Sequence, residues 1–132
     1  VRQQAVRASF LSGEDFRGLD LQGVMFFSAN LSKANFSRSK LTNASFEGSE
    51  LVKSLFKRSK ARGVSFQGAD LTKADFRGAD LRGADMQRAN LRGARLKGAK
   101  LGKVNWNNTI CPDGTNSDSH ANTCVGHLRP RG

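Results

Sequence analysis

Tyrosine is absent, tryptophan occurs once, and cysteine, proline, methionine and histidine occur only twice each in 132 residues. Both histidines, His120 and His127, fall in the last part of the chain, so a histidine base amid the regular sequence is excluded. Long apolar runs are missing as well. The longest, Val24-Met25-Phe26-Phe27, is far below the ~18 residues that suggest a membrane span, so no membrane insertion is expected. Carboxylates are outnumbered, with 11 Asp and Glu against 22 Lys and Arg and a net charge of +11. That balance favours anionic partners and disfavours self-association, so a monomer is expected; it does not bear on the fold. The length fits one domain. Val1 is not an initiator Met, which suggests a processed or trimmed chain.

What is present is a period of five. From Leu11 to Trp106 every fifth residue belongs to one series: Leu11, Phe16, Leu21, Phe26, Leu31, Phe36 and onward, large and apolar at nineteen of twenty positions, with Ala61 the exception. Two residues before each of these the side chain is Ala or Ser in fifteen of twenty cases. An α-helix cannot carry this pattern, because five residues advance it by about 500° and scatter the apolar positions over every face. A straight strand cannot either, since an odd period flips the apolar residue to the opposite side at each repeat. The pattern survives only if the chain turns a corner once per repeat. Gly stands two residues after the large residue in ten of twenty repeats, which suits corners that demand positive φ. Seven of the rest are Lys or Arg, whose long stems can reach away from a crowded corner.

Phe and Leu alternate through most of the series, so the unit is ten residues, and a four-sided coil of 20 residues aligns like with like. One column is Phe16, Phe36, Phe56, Phe76; the opposite one is Phe26, Phe46, Phe66. The expected fold class is all-β: a parallel β-solenoid of about five coils, ~24 Å long at the spacing of stacked strands. Residues 1–10 are expected to form an N-terminal cap, a short helix or irregular plug. Residues 11–108 form the solenoid, and residues 109–132 a C-terminal cap and tail. Ala61 leaves room between Leu41 and Leu81, so Ala61→Leu is expected to stabilise unless neighbours already fill the space.

The runs Ala69-Asp70-Leu71, Ala74-Asp75-Phe76, Ala79-Asp80-Leu81 and Ala89-Asn90-Leu91 resemble the pentapeptide-repeat family over roughly 98 of the 132 residues. The resemblance implies a right-handed quadrilateral β-helix. That no enzyme is expected comes from the residues, since the repeat implies no pocket and both histidines lie in the tail. The best-known branch of that family protects DNA gyrase by resembling DNA with an acidic solenoid. This chain has the opposite sign of charge, so such mimicry is disfavoured.

Cys111 and Cys124 bracket a polar loop, and a disulfide between them would stabilise by ~3 kcal/mol; two free thiols are the alternative. The run from Trp106 to Thr115 resembles the tail of exported bacterial members of the family. With the disulfide it implies an extracytoplasmic compartment: periplasm, thylakoid lumen or secreted. Asp113, Asn116 and Asp118 have some of the spacing of a calcium loop but lack its central Gly and bidentate Glu, and read as turn formers. Cys111, Cys124, His120 and His127 lack the close ligand pairs of zinc sites. No metal, cofactor or catalytic residue is expected.

The repeat assigns each charge to a wall. On the wall centred on Phe16, Phe36, Phe56, Phe76 and Leu96 lie Arg17, Arg38, Lys57, Arg58, Arg77, Arg95 and Lys97. The next wall, centred on Leu21, Leu41, Ala61, Leu81 and Leu101, carries Lys40, Lys60, Arg62, Arg82, Lys100 and Lys103. Apart from Lys103, these are the candidate anion-binding residues. The expected function is non-enzymatic binding or scaffolding toward an acidic protein or anionic polymer. Nonspecific nucleic-acid binding and a structural spacer are the alternatives.

Overall fold

The computed structural model describes residues 5–7 and 10–130. Within them each repeat makes one short extended segment and one corner. The residue before each large apolar position pairs in parallel with the residue twenty positions on, as in Asn30 with Glu50, Glu50 with Asp70 and Asp70 with Asn90. Four sides per coil follow directly. The fold is a right-handed quadrilateral β-helix, and the parallel bridges continue to Ile110.

The hydrogen bonds show why five residues suffice. Leu31 N–H donates to the Glu50 carbonyl at 2.8 Å, and Glu50 N–H returns to the Ala29 carbonyl at 2.9 Å, tying each coil to the next. Ala34 N–H then closes the corner onto the Leu31 carbonyl at 3.0 Å. The second corner residue has positive φ throughout, 66° at Gly48 but also 59° at Lys53 and 57° at Arg58. That is the type II turn requirement, and the cationic corners accept it like the glycine ones, at roughly 1 kcal/mol or more each. Stem length is therefore a secondary reason for Lys and Arg there.

The core is one side chain thick on each side. Phe36, Phe56 and Phe76 stack at 5.0 and 4.9 Å between ring centroids, Phe46 and Phe66 stack at 5.2 Å, and the two columns meet edge to face. Small Ala and Ser two positions earlier let opposite walls close. Buried Ser39, Ser54 and Ser59 satisfy their hydroxyls on the carbonyls of Phe36, Leu51 and Phe56.

Ala61 is fully buried, and Val64, just past its corner, stands where most repeats have Ala or Ser. Against Leu41 with Ala44 and Leu81 with Ala84, Ala61 with Val64 leaves room for about one methylene, less than Leu would add. Val in this column meets Leu only near the ends, as Val24 with Leu21 and Val104 with Leu101, where Leu21 and Leu101 are only partly buried. Ala61→Leu alone is thus expected to overpack and cost ~1–3 kcal/mol. Ala61→Leu combined with Val64→Ala should return close to the parent melting temperature. A stabilising single substitution would show an open cavity instead.

The expected N-terminal cap lies partly outside the described residues. What is described of it is neither helix nor plug: β1 (Ala5–Arg7) is a strand parallel to β2 (Met25–Phe27), with Val6 opposite Phe26. Val6 falls on the five-residue series, so the coil rhythm begins before Leu11.

At the other end Trp106 and Cys111 close the core, and the chain folds back so that Ile110 pairs antiparallel with Asn116. A 3-10 helix, Ser117–His120, interrupts the expected loop; the Asn116 side chain caps it by accepting the Asp118 N–H at 2.8 Å. Ser117 is buried, donating its hydroxyl to the Trp106 carbonyl and accepting the Thr109 N–H. Cys111 and Cys124, both fully buried, form a disulfide with Cα atoms 5.4 Å apart. Leu128 packs onto the core beyond it.

Candidate anion-binding surface

The outward residue before each large one has a second task besides bearing charge. Where it is Asp, Asn or Ser, its side-chain oxygen accepts the N–H of the first corner residue, two positions on, which the coil ladder leaves without an acceptor. At Lys40, Glu50, Leu55, Lys60, Arg95 and Lys100 no such cap forms among the described residues. Asp75 takes the Arg77 N–H at 3.1 Å, Asp85 that of Gln87 at 3.0 Å, Asn35 that of Ser37 at 3.0 Å, and Asn90 that of Arg92 at 3.0 Å. Here lies the physical reason for the Ala-Asp-Leu signature. Reading these carboxylates only as exposed surface charge missed it, although the recurrence of Asp, Asn and Ser at one position was a visible signal.

The same carboxylates capture four of the candidate cations. Arg17 bonds Asp15 at 2.8 Å, Arg77 bonds Asp75 at 2.7 Å, and Arg82 and Arg62 both reach Asp80, at 2.6 and 3.2 Å. Hydrogen bonds from the Arg17 side chain and N–H hold Asp15 down to about 2. Those from the Arg82 guanidinium hold Asp80 well below the usual carboxylate range. Burial pushes Asp75 up, but the Arg77 side chain and N–H outweigh it and leave it lowered. Arg17, Arg77 and Arg82 are each raised by hydrogen bonding to their Asp.

The expected continuous stripe is thereby divided. In the fourth coil, residues 74–83 carry Asp75, Arg77, Asp80 and Arg82 and neutralise themselves. In the second and third coils, residues 34–43 and 54–63 hold Arg38, Lys40, Lys57, Arg58, Lys60 and Arg62 and no carboxylate at all. Of these only Arg62 makes an ion pair. Lys40 and Lys60 are bridge partners in adjacent coils, and a shallow cleft lined by Ser37, Arg38, Lys57 and Arg58 runs along the corner beside them. A second cluster, Arg95, Lys97 and Lys100, sits in the fifth coil. There Leu128, Arg129 and Pro130 of the tail line a groove together with Arg77, Arg95 and Lys97. Lys53 and Lys73, which by sequence belong to the preceding wall centred on Leu51 and Leu71, line one groove with Leu55, Asp75 and Arg95, so corner lysines border the Phe36 wall too.

The C-terminal oxygens are committed to local structure. Asp113 accepts from Thr115 and from His127, Asn116 from Asp118, and Asp118 from the Asn108 N–H. The His120 and His127 rings stack with centroids 3.5 Å apart. Among the described residues no group of three or more His, Cys, Asp or Glu is arranged to hold a metal. Burial pushes Asp113 up, yet the Thr115 hydroxyl and N–H and His127 bring it down to about 2.

A group lowered in the folded state binds fewer protons there than when unfolded, so stability rises with pH through the window between the two values. Asp15, Asp75, Asp80 and Asp113 all have this sign. Their stabilisation is complete above the ordinary carboxylate value of 3.8 and drains as pH falls toward about 2. Asp80→Asn keeps the corner acceptor but no longer titrates. It is expected to shrink the acid-side fall in melting temperature, and an unchanged profile would show that Asp80 takes no part in it.

Comparison with known proteins adds the family. The pentapeptide repeats family matches in eight copies, over residues 7–38, 20–58, 39–78, 49–88 and 89–110. A pentapeptide repeat protein of the Arabidopsis thaliana thylakoid lumen is 33% identical, with 73% of this chain and 70% of that one covered and a TM-score of 0.61. Rfr23, from the cyanobacterium Cyanothece 51142, is 26% identical over 82% of each chain, with a TM-score of 0.65. QnrB1, a plasmid-mediated fluoroquinolone resistance protein, shares the fold at 22% identity and a TM-score of 0.52. No curated protein sequence matches.

Proposed function

The chain belongs to the pentapeptide-repeat family, and from that premise we propose that it is a non-enzymatic binding protein that engages an acidic protein or a polyanion through its outer surface. Members of the family are generally structural or binding proteins rather than enzymes. One observation carries the reading: Arg38, Lys40, Lys57, Arg58 and Lys60 stand without ion pairs, in two adjacent half-coils that contain no carboxylate. Their like-charge repulsion is relieved only in part in the free protein, by the Asp75 carboxylate near Lys57, and a bound polyanion relieves the rest. Flat walls spread binding over many cations rather than one pocket. The buried disulfide and the likeness to a thylakoid-lumen protein support an extracytoplasmic setting. No helix among the described residues is long and apolar enough to cross a membrane.

The test is a titration of the protein with heparin, duplex DNA and neutral dextran at matched ionic strength. Binding to heparin that weakens steeply as salt rises, with none to dextran, is the expected result. No polyanion binding at low salt would overturn the reading and leave a structural spacer. Marked preference for DNA over heparin would favour the nucleic-acid alternative.

A further inference from the structure

At most corners the fold supplies its own anion: a carboxylate, amide or hydroxyl oxygen two residues back accepts the N–H of the first corner residue. At the corner beginning with Lys57 it does not. Leu55 occupies the capping position, and the Lys57 N–H, on an exposed residue, donates to no protein acceptor among the described residues. One coil below, Asn35 caps Ser37; one coil above, Asp75 caps Arg77. The gap therefore falls between two filled positions of the same column, where the fold is built to receive an oxygen.

Around this open donor lies the cleft lined by Ser37, Arg38, Lys57 and Arg58. Arg38 and Arg58 leave the chain at equivalent corner positions of successive coils, φ 58° and 57°, about one strand spacing (~4.8 Å) apart. The Ser37 hydroxyl makes no hydrogen bond to protein among the described residues. The residues lining this shallow site thus carry two guanidinium groups, an ammonium, a hydroxyl and an open backbone N–H, and no carboxylate. A tetrahedral oxyanion has enough acceptor positions to use such a set, and guanidinium forks suit it.

We propose that this cleft is a subsite for a single phosphate or sulfate ester group, which takes the place of the missing corner cap by accepting the Lys57 N–H. The subsite deepens the anion-binding function proposed above and rests on it: the spread of cations supplies attraction, and the uncapped corner supplies a fixed anchor. The corners beginning with Thr42, Arg62, Lys97 and Gly102 also lack a cap among the described residues; the Lys57 corner differs in sharing one cleft with the guanidinium corners Arg38 and Arg58 and the Ser37 hydroxyl.

The experiment follows backbone amide resonances while inorganic phosphate, and separately inorganic sulfate, is added at constant ionic strength. The Lys57 amide is expected to shift saturably, while the capped Arg77 amide stays in place; the ion with the tighter response names the ester. Leu55→Asn installs the cap that Asn35 already provides in the same column, without altering charge. It should abolish the Lys57 shift and weaken phosphate or sulfate binding by roughly tenfold, the loss of one charge-assisted hydrogen bond. Leu55→Asp should eliminate binding there. Unchanged binding in Leu55→Asn, or shifts spread evenly over all basic corners, would mean an adventitious ion only and overturn the subsite. If heparin still binds the wild type in that case, the broader anion-binding function stands without the subsite. If neither heparin nor the small ions bind, both fail together.

Discussion

Phe56→Ala is expected to destabilise the protein by about 3–5 kcal/mol, the largest effect of any single core substitution. Phe56 is fully buried, stacks on Phe36 at 5.0 Å and Phe76 at 4.9 Å, and meets the edges of Phe46 and Phe66 at 5.6 and 5.4 Å. Its removal empties the centre of a core that is one ring thick, and neighbouring coils are held in place by their ladders, so collapse into the space is limited. Each aromatic pair lost adds roughly 0.5–1.5 kcal/mol beyond area burial. For a chain of this size the melting temperature should fall by about 10–20 °C. Phe16, partly exposed at the first coil, stacks on Phe36 and meets only the edge of Phe26 among the described rings, and should cost much less when changed to Ala. Equal losses at the two sites would contradict a core whose stability is concentrated in its middle coils.

Reading the chain as a coil needed only the period, because an odd repeat of apolar residues fits neither a helix nor a straight strand, and its four sides came from the alternation of Phe and Leu. The Phe columns and the disulfide were legible for the same reason: regular spacing in the first case, two cysteines in a polar loop in the second. Three features were not. Val64 looked like one irregular residue until its burial beside Ala61 tied the two together. The strand at Ala5–Arg7 was hidden because only Val6 carries the period there, with no small residue two positions before it. The division of the basic stripe depends on which Asp faces which Arg. Spacing of two residues places Asp75 beside Arg77 and Asp80 beside Arg82, but only the corner geometry shows that one carboxylate serves both the backbone N–H and the guanidinium.

Replacing Arg38, Lys40, Lys57, Arg58 and Lys60 together by Gln is expected to weaken heparin binding by about fivefold to about five-thousandfold, taking ~0.2–1 kcal/mol for each exposed contact. All five are exposed and make no ion pair, so the solenoid should remain folded. The matched control changes Lys33, Arg88, Arg92, Lys103 and Arg129 to Gln, removing the same charge from outside residues 34–63 and sparing Lys53 and Lys73, which border the Phe36 wall. Its affinity should fall by no more than roughly threefold, from the weakened long-range field alone. Arg62, Arg77 and Arg82 are left untouched in both variants, since freeing their Asp partners would add carboxylates to the surface.

The most direct test of anion binding through the second and third coils is the salt dependence of duplex DNA affinity for the wild type and these two variants. Each phosphate contact contributes about 0.9 to the slope of log affinity against log salt. The wild type and the control should therefore share a slope of about −4.5, and the Arg38/Lys40/Lys57/Arg58/Lys60 variant should be nearly flat. Slopes reduced equally in both variants would mean that the protein presents only its net charge, and the localised surface would be contradicted.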